Sequence, residues 1–259
     1  MARLDGKAAV ITGGAGGMGQ AAAALFAREG CRVLIVDRDT AAVDEAVRAI
    51  GSSQVSGVAA DVTAPEQVEA YTRTALERLG GIDIALLNAG ITGPNTPLES
   101  YALEVFDQVL AVNVRAVWLG LKAAIGPMKA RGGGSIVMTS SIQGLSAMPN
   151  TSGYTTSKHA LVGMMKGAAL ELAADNIRVN CIHPGFADTP MMHRIHQSSG
   201  APEQVQAALS ASIPMRRYAS PEEVARMMLF LASEDSSYCT GASYLLDGGL
   251  LASWGPTPD

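Results

Sequence analysis

The chain has 259 residues, 48% hydrophobic and 17% charged, a balance that excludes the disordered class and suffices for one large core. A net charge of −5 with no basic cluster argues against a nucleic-acid partner. Three cysteines far apart in sequence (Cys31, Cys181 and Cys239) make no disulfide framework and fit a reduced, cytoplasmic setting, while the absence of an apolar signal core and of an unbroken eighteen-residue apolar run leads us to expect no membrane partner.

Ala8-Ala9-Val10-Ile11 reads as a buried strand. The turn Thr12-Gly13-Gly14-Ala15-Gly16-Gly17-Met18-Gly19 follows, and residues 20–29 read as a helix. Residues 31–36 are a strand ending in Asp37-Arg38, 40–50 a helix, and 54–59 a strand closed by Asp61-Val62. Pro65 opens the next helix at a favoured first-turn position. Residues 82–87 are a strand running into Asn88-Ala89-Gly90, and a long helical pattern covers 103–125. Gly132-Gly133-Gly134 breaks it before a strand at 135–139. A helix containing Tyr154 and Lys158 precedes a strand at 177–182. Residues 186–218 read as irregular, 221–231 as a helix and 242–246 as a last strand. The tail 253–259, with Pro256 and Pro258, is expected to be non-helical.

Short, unbroken apolar strands alternating with helices predict an α/β fold: a Rossmann-like, doubly wound parallel sheet of about seven strands with helices on both faces. No linker or composition shift divides the chain, so 1–259 reads as a single dinucleotide-binding and catalytic domain.

A phosphate-bearing cofactor needs close backbone approach, and Gly13, Gly17 and Gly19 lie between a predicted strand and helix, where free N–H groups and the dipole favour an anion. Asp37 ends the next strand, at the reach of a ribose-binding acid. A carboxylate there accepts from ribose hydroxyls and repels a 2′-phosphate, which favours NAD; Arg38 keeps NADP as the lesser alternative.

Tyr154 and Lys158 are four residues apart, a turn apart on one helix face. Phenol titrates near pH ~10. An ammonium ~4–5 Å away is expected to lower that value and make the phenol a usable base. Alone, such a pair is more often a solvated helix face.

Taken together, these residues resemble the short-chain dehydrogenase/reductase family over essentially the whole chain, from Lys7 to Gly249. The resemblance is carried by Thr12-Gly13-x-x-x-Gly17-x-Gly19, Asp61-Val62, Asn88-Ala89-Gly90, Asn113, Ser141, Tyr154-x-x-x-Lys158, Pro184-Gly185 with Thr189, and Asp247-Gly248-Gly249. It implies that Tyr154 is the general acid/base and that Lys158 lowers its pKa and holds the nicotinamide ribose. Ser141 would bind the substrate oxygen and Asn113 anchor a proton-relaying water chain. Cofactor contacts are implied for Gly13, Gly17, Met18, Gly19, Asp37, Arg38, Asp61, Val62, Asn88, Ala89 and Gly90, and around the nicotinamide for Pro184, Gly185, Ala187 and Thr189. Leu87 stands where the family often has a second Asn.

The substrate loop is placed at about 186–218, and Gln143, Met148, Phe186 and Met192 are the expected pocket wall, together with Ser141 and Tyr154. One amide among apolar groups suggests a small or medium, mostly uncharged alcohol or ketone. His193 and His196, three apart, have no third ligand nearby, so no metal is expected; His159 reads as structural and His183, before Pro184, as extended.

The activity implied is NAD-dependent hydride transfer between the cofactor and a secondary alcohol or ketone. An NADP-linked 3-oxoacyl-[acyl-carrier-protein] reductase is the alternative among enzymes, and a non-catalytic NAD(H)-sensing binding protein the alternative outside them. The family resemblance also implies a homotetramer built on the long helices.

Overall fold

The computed structural model describes residues 2–252, and the tail 253–259 lies outside them. The strands are β1 (Ala8–Thr12), β2 (Arg32–Asp37), β3 (Val55–Ala59), β4 (Ile84–Leu87), β5 (Gly134–Thr139), β6 (Ile177–Pro184) and β7 (Ser243–Leu246). All pair in parallel, in the order β3-β2-β1-β4-β5-β6-β7. Successive residues of a strand face opposite sides, so a strand covered on both sides needs an unbroken apolar run. Val10, Leu34, Leu87, Ile136 and Met138 point to one face, under α3 (Pro65–Leu79), α5 (Ala116–Ala130) and α6 (Ser152–Leu172). Ile11, Ile35, Leu86, Val137 and Ile182 point to the other, under α1 (Gly17–Arg28), α2 (Thr40–Ile50) and α9 (Pro221–Ala232). The order reverses between β1 and β4, which opens a crevice at the carboxyl ends of the strands.

Three expectations change. The pattern at 103–125 is not one helix: α4 (Leu103–Leu110) passes through a π-helical turn at Ala111–Arg115 into α5. That widened turn carries Asn113, which is completely buried. Second, an eighteen-residue window within Leu103–Ala130 has mean hydropathy 1.5, with 39% of it buried in the protein, which is enough by length and composition alone to cross a membrane, a test that the core helix of a soluble protein also passes; the window need not be unbroken, since polar residues such as Arg115 and Lys122 interrupt the unit. Third, 186–218 is largely helical, as α7 (Pro190–Ser198) and α8 (Pro202–Ser212). Pro190 and Pro202 stand at first-turn positions, where the missing N–H costs nothing, and Thr189 caps α7 by accepting from Met192 N at 3.4 Å.

Candidate active site

The glycine turn leaves β1 with Gly13 at φ +64°, in the left-handed region that favours glycine. A Cβ on Gly13 would stand 2.8 Å from Ala89 Cα, and one on Gly19 would collide with Gly13 O. The backbone therefore closes on itself as a cradle that side chains would fill. Thr12 Oγ1 accepts from Asn88 N (3.1 Å) and Ala89 N (3.3 Å), and Asn88 Nδ2 donates to Gly13 O (3.2 Å), so the β4 end is sewn to the turn. Asn88 Oδ1 and Thr139 Oγ1 are buried without a partner among the described residues. Gly17 faces Thr189 and Pro190, each 3.2 Å from where its Cβ would be.

Asp37 accepts from Ala15 N (3.2 Å) and Arg38 N (2.8 Å), fixing its carboxylate at the rim of the cradle. Arg38, Ala60, Asp61 and Gln67 line an open hollow of about 580 Å³ beside it. Asp61 turns its carboxylate to Thr63, accepting from the hydroxyl (2.7 Å) and the amide (2.8 Å). Those bonds, with Arg38 nearby, hold its carboxyl below the usual range. Val62 is half-buried against the core.

At the end of β4, Gly90 faces Asn113 Oδ1 (3.3 Å) and Lys158 Nζ (3.4 Å), measured from the position its Cβ would take. Asn113 is held by Ile91 N (2.9 Å) and Ile91 O (2.8 Å), and its Nδ2 also donates to Ser157 Oγ (2.9 Å). Ser157 Oγ in turn donates to Tyr154 O (2.7 Å). Lys158 is buried, donates to Thr139 O (2.8 Å) and lies 5.4 Å from the Tyr154 ring centre. Ser141, just past β5, hydrogen-bonds Tyr154 through its side chain and accepts from Gln143 N at 3.2 Å. The structure thus brings Asn113, Ser141, Tyr154 and Lys158 to one place at the strand ends.

The electrostatics there differ from the expectation. Burial pushes the Tyr154 phenol up, opposed only by the Ser141 hydrogen bond. Burial also pulls the Lys158 ammonium down, to about 8. Desolvation penalises the charged form of each group, and it outweighs the attraction expected from spacing alone.

Pro184 and Gly185 close β6, where Gly185 lies against Asp247, and Ala187 and Thr189 are buried beyond them. Gln143 and Met148 touch each other beside Ser141. Phe186 instead stacks on Tyr218 at 5.6 Å and lines a 220 Å³ cavity with Ile213 and Met215; Met192 sits half-buried in the first turn of α7. The pocket wall is therefore divided between the β5 side and the α7–α8 side. His193 pairs with Asp188 (2.6 Å) and His196 with Tyr218 Oη (3.0 Å), so the two imidazoles take different partners.

Sequence reasoning missed Thr139 and Ser157, and named Thr12 in a motif without giving it a role. Thr12 acts through its hydroxyl, Thr139 through its carbonyl on Lys158, and Ser157 adjoins Lys158. His183 lies in β6, extended as expected; it is completely buried, with Nδ1 2.8 Å from Ser141 O and its Nε2 unpartnered among the described residues. Ser141 O can only accept, so Nδ1–H is the donor, and burial holds the ring below the usual histidine range.

An open parallel sheet with a glycine cradle, a rim acid and a Ser–Tyr–Lys group at the strand ends, its serine and lysine buried and its tyrosine half-buried, defines a dinucleotide-dependent oxidoreductase fold. A family model described as Enoyl-(Acyl carrier protein) reductase matches residues 13–251. A 3-alpha-(or 20-beta)-hydroxysteroid dehydrogenase from Mycobacterium tuberculosis is 40% identical over 254 residues, 96% of this chain and 91% of that protein. Levodione reductase from Leifsonia aquatica is 35% identical over 97% of each chain. A solved structure of levodione reductase matches with a TM-score of 0.94 at 34% identity, covering 97% of this chain and 100% of that one. Cyclohexanol dehydrogenase from an Acinetobacter species is 36% identical over 95% of both. The chain belongs to the short-chain dehydrogenase/reductase family, whose members use a nicotinamide cofactor.

Proposed function

We propose that this protein interconverts a secondary alcohol and a ketone with NAD as cofactor, Tyr154 acting as general acid/base. The observation that carries the reading is the buried Lys158 amine 5.4 Å from the Tyr154 ring, with the Ser141 side chain beside the phenol, inside the crevice at the strand ends. The cradle fits a dinucleotide: a Cβ would fill it at Gly13 and Gly19, and Asn88 Oδ1 and Thr139 Oγ1 are buried acceptors left over by the protein. Gly13, Gly17, Met18 and Gly19 would hold the pyrophosphate, Asp37 the adenosine ribose, and Asp61, Val62 and Asn88-Ala89-Gly90 the adenine side. Pro184, Gly185, Ala187 and Thr189 would flank the nicotinamide. Bound there, the cofactor supplies or accepts the hydride.

The chain supplies position and a proton. Ser141 Oγ orients the substrate oxygen towards Tyr154 Oη. In the oxidative direction the hydroxyl proton passes to Tyr154 Oη as the carbon gives up its hydride; in reduction Tyr154 returns that proton to the alcohol oxygen. Lys158 stabilises the phenolate, and Asn113 holds the Ile91 backbone beside it. A binding protein that only senses NAD(H) has no use for this proton device.

Asp37 supports NAD over NADP, since its carboxylate would face a 2′-phosphate. The chain acts as one unit over 1–259, with 186–218 shaping the substrate side. We also propose a cytoplasmic homotetramer, supported by exposed Leu103, Trp118 and Leu170 on the long helices.

Tyr154→Phe should lose at least about 10³-fold in kcat while NADH still binds, checked by NADH absorbance over an alcohol and ketone panel and by fluorescence titration. Turnover within tenfold of wild type would remove Tyr154 from the chemistry. Initial rates should favour NADH over NADPH, and Asp37→Ser should narrow the difference. A preference for NADPH would point instead to the 3-oxoacyl-[acyl-carrier-protein] reductase reading.

A further inference from the structure

Gln143 stands two residues after Ser141 and reaches across to α6. Its Oε1 lies 2.7 Å from both Thr151 Oγ1 and Thr155 Oγ1. That separation is typical of a hydroxyl donating to a carbonyl and short for an amide N–H donor. Thr151 Oγ1 also reaches Met148 O (2.8 Å) and has one proton to share, so Thr155 is the donor that orients the amide, with its carbonyl to the threonines and –NH2 away from them. Thr155 directly follows Tyr154, and Gln143 N donates to Ser141 Oγ (3.2 Å), so the residue is tied to neighbours of both reacting side chains. Its Nε2 meets Met148 Sδ at 3.3 Å. A thioether is a weak acceptor. It sits on a flexible side chain that is 38% exposed, whereas Gln143 is 9% exposed. A buried, strongly polar donor is thus left with a poor and displaceable partner.

We propose that Gln143 is a specificity residue whose Nε2 donates to a second, acceptor oxygen on the substrate, close to the reacting carbon. This rests on the alcohol/ketone reading above and narrows it to ketones that carry a neighbouring carbonyl or ether oxygen. A buried donor made for such an oxygen discriminates against an analogue lacking it, because the donor then goes unpaired.

The test compares kcat/KM for matched ketones: 2-methoxycyclohexanone against cyclohexanone, and 2,3-butanedione against 2-butanone. Intrinsic reactivity cancels when each ratio is compared between wild type and variant. Q143L has no donor and Q143E presents only acceptors at pH 8, so both should lower the ratios about tenfold or more, mainly through KM for the two-oxygen ketone. T155V, which frees the carbonyl end of the amide, should lower them less. NADH fluorescence titration checks that each variant is folded. Ratios unchanged in both Gln143 variants overturn the inference and leave the oxidoreductase reading standing. Failure of wild type to reduce any of the four ketones with either cofactor overturns that reading and the inference with it.

Discussion

At Tyr154 two effects compete. Spacing along a helix brings an ammonium close, but the same packing strips water from both groups, and desolvation prevails for each. Difference titration of wild type against Tyr154→Phe, without added cofactor, should therefore show this phenol ionising above pH 10; ionisation below 10 would restore the simpler picture drawn from spacing. Tyr154 and Lys158 were legible in the sequence from their spacing and chemistry, Asn113 and Ser141 only through the family resemblance. Their supports were not, because Thr139 acts through its carbonyl and Ser157 through a hydroxyl turned to the backbone. Ser157→Ala leaves Asn113 Nδ2 with Ile91 O alone and should cost about 1–2 kcal/mol in denaturant unfolding, with activity falling through displaced Asn113. A change below about 0.3 kcal/mol would mean the bond carries nothing.

Among elements, α9 is the best secured at its start. Ser220 and Glu223 form a capping box, and Glu223 also takes Arg217 in two bonds of 2.7 and 2.8 Å. The Arg217 hydrogen bonds draw the Glu223 carboxyl down to about 2. A depressed carboxylate stabilises the fold above its unfolded value and loses that contribution as pH falls. Thermal stability should thus drop between about pH 4.5 and 2 in wild type, and by less in Glu223→Gln. Ser220→Ala should cost about 1 kcal/mol. The helices α7 and α8 were not legible in 186–218 because they are short and each opens on a proline, Pro190 and Pro202, at a first-turn position. The π-helical turn was equally hidden, since a 3.6-residue periodicity does not announce one inserted residue.

For the molecule as a whole, the sheet was readable because strands buried on both faces need near-continuous apolar runs, as in β4, in β1 up to Ile11, in the middle of β2 and at Ile136-Val137-Met138 of β5. Assembly is a different matter. Light scattering should give a tetramer, and a monomer would remove the proposed role of Leu103, Trp118 and Leu170.

The central place of β1 has a consequence for synthesis on the ribosome. One side of β1 pairs with β2, but the other waits for β4, so the stretch Ala9–Thr12 keeps a bare edge until residue 87 has emerged. Such an edge is sticky towards other nascent chains. A fragment stopped near residue 80 should therefore aggregate from the very strand that later carries the glycine turn.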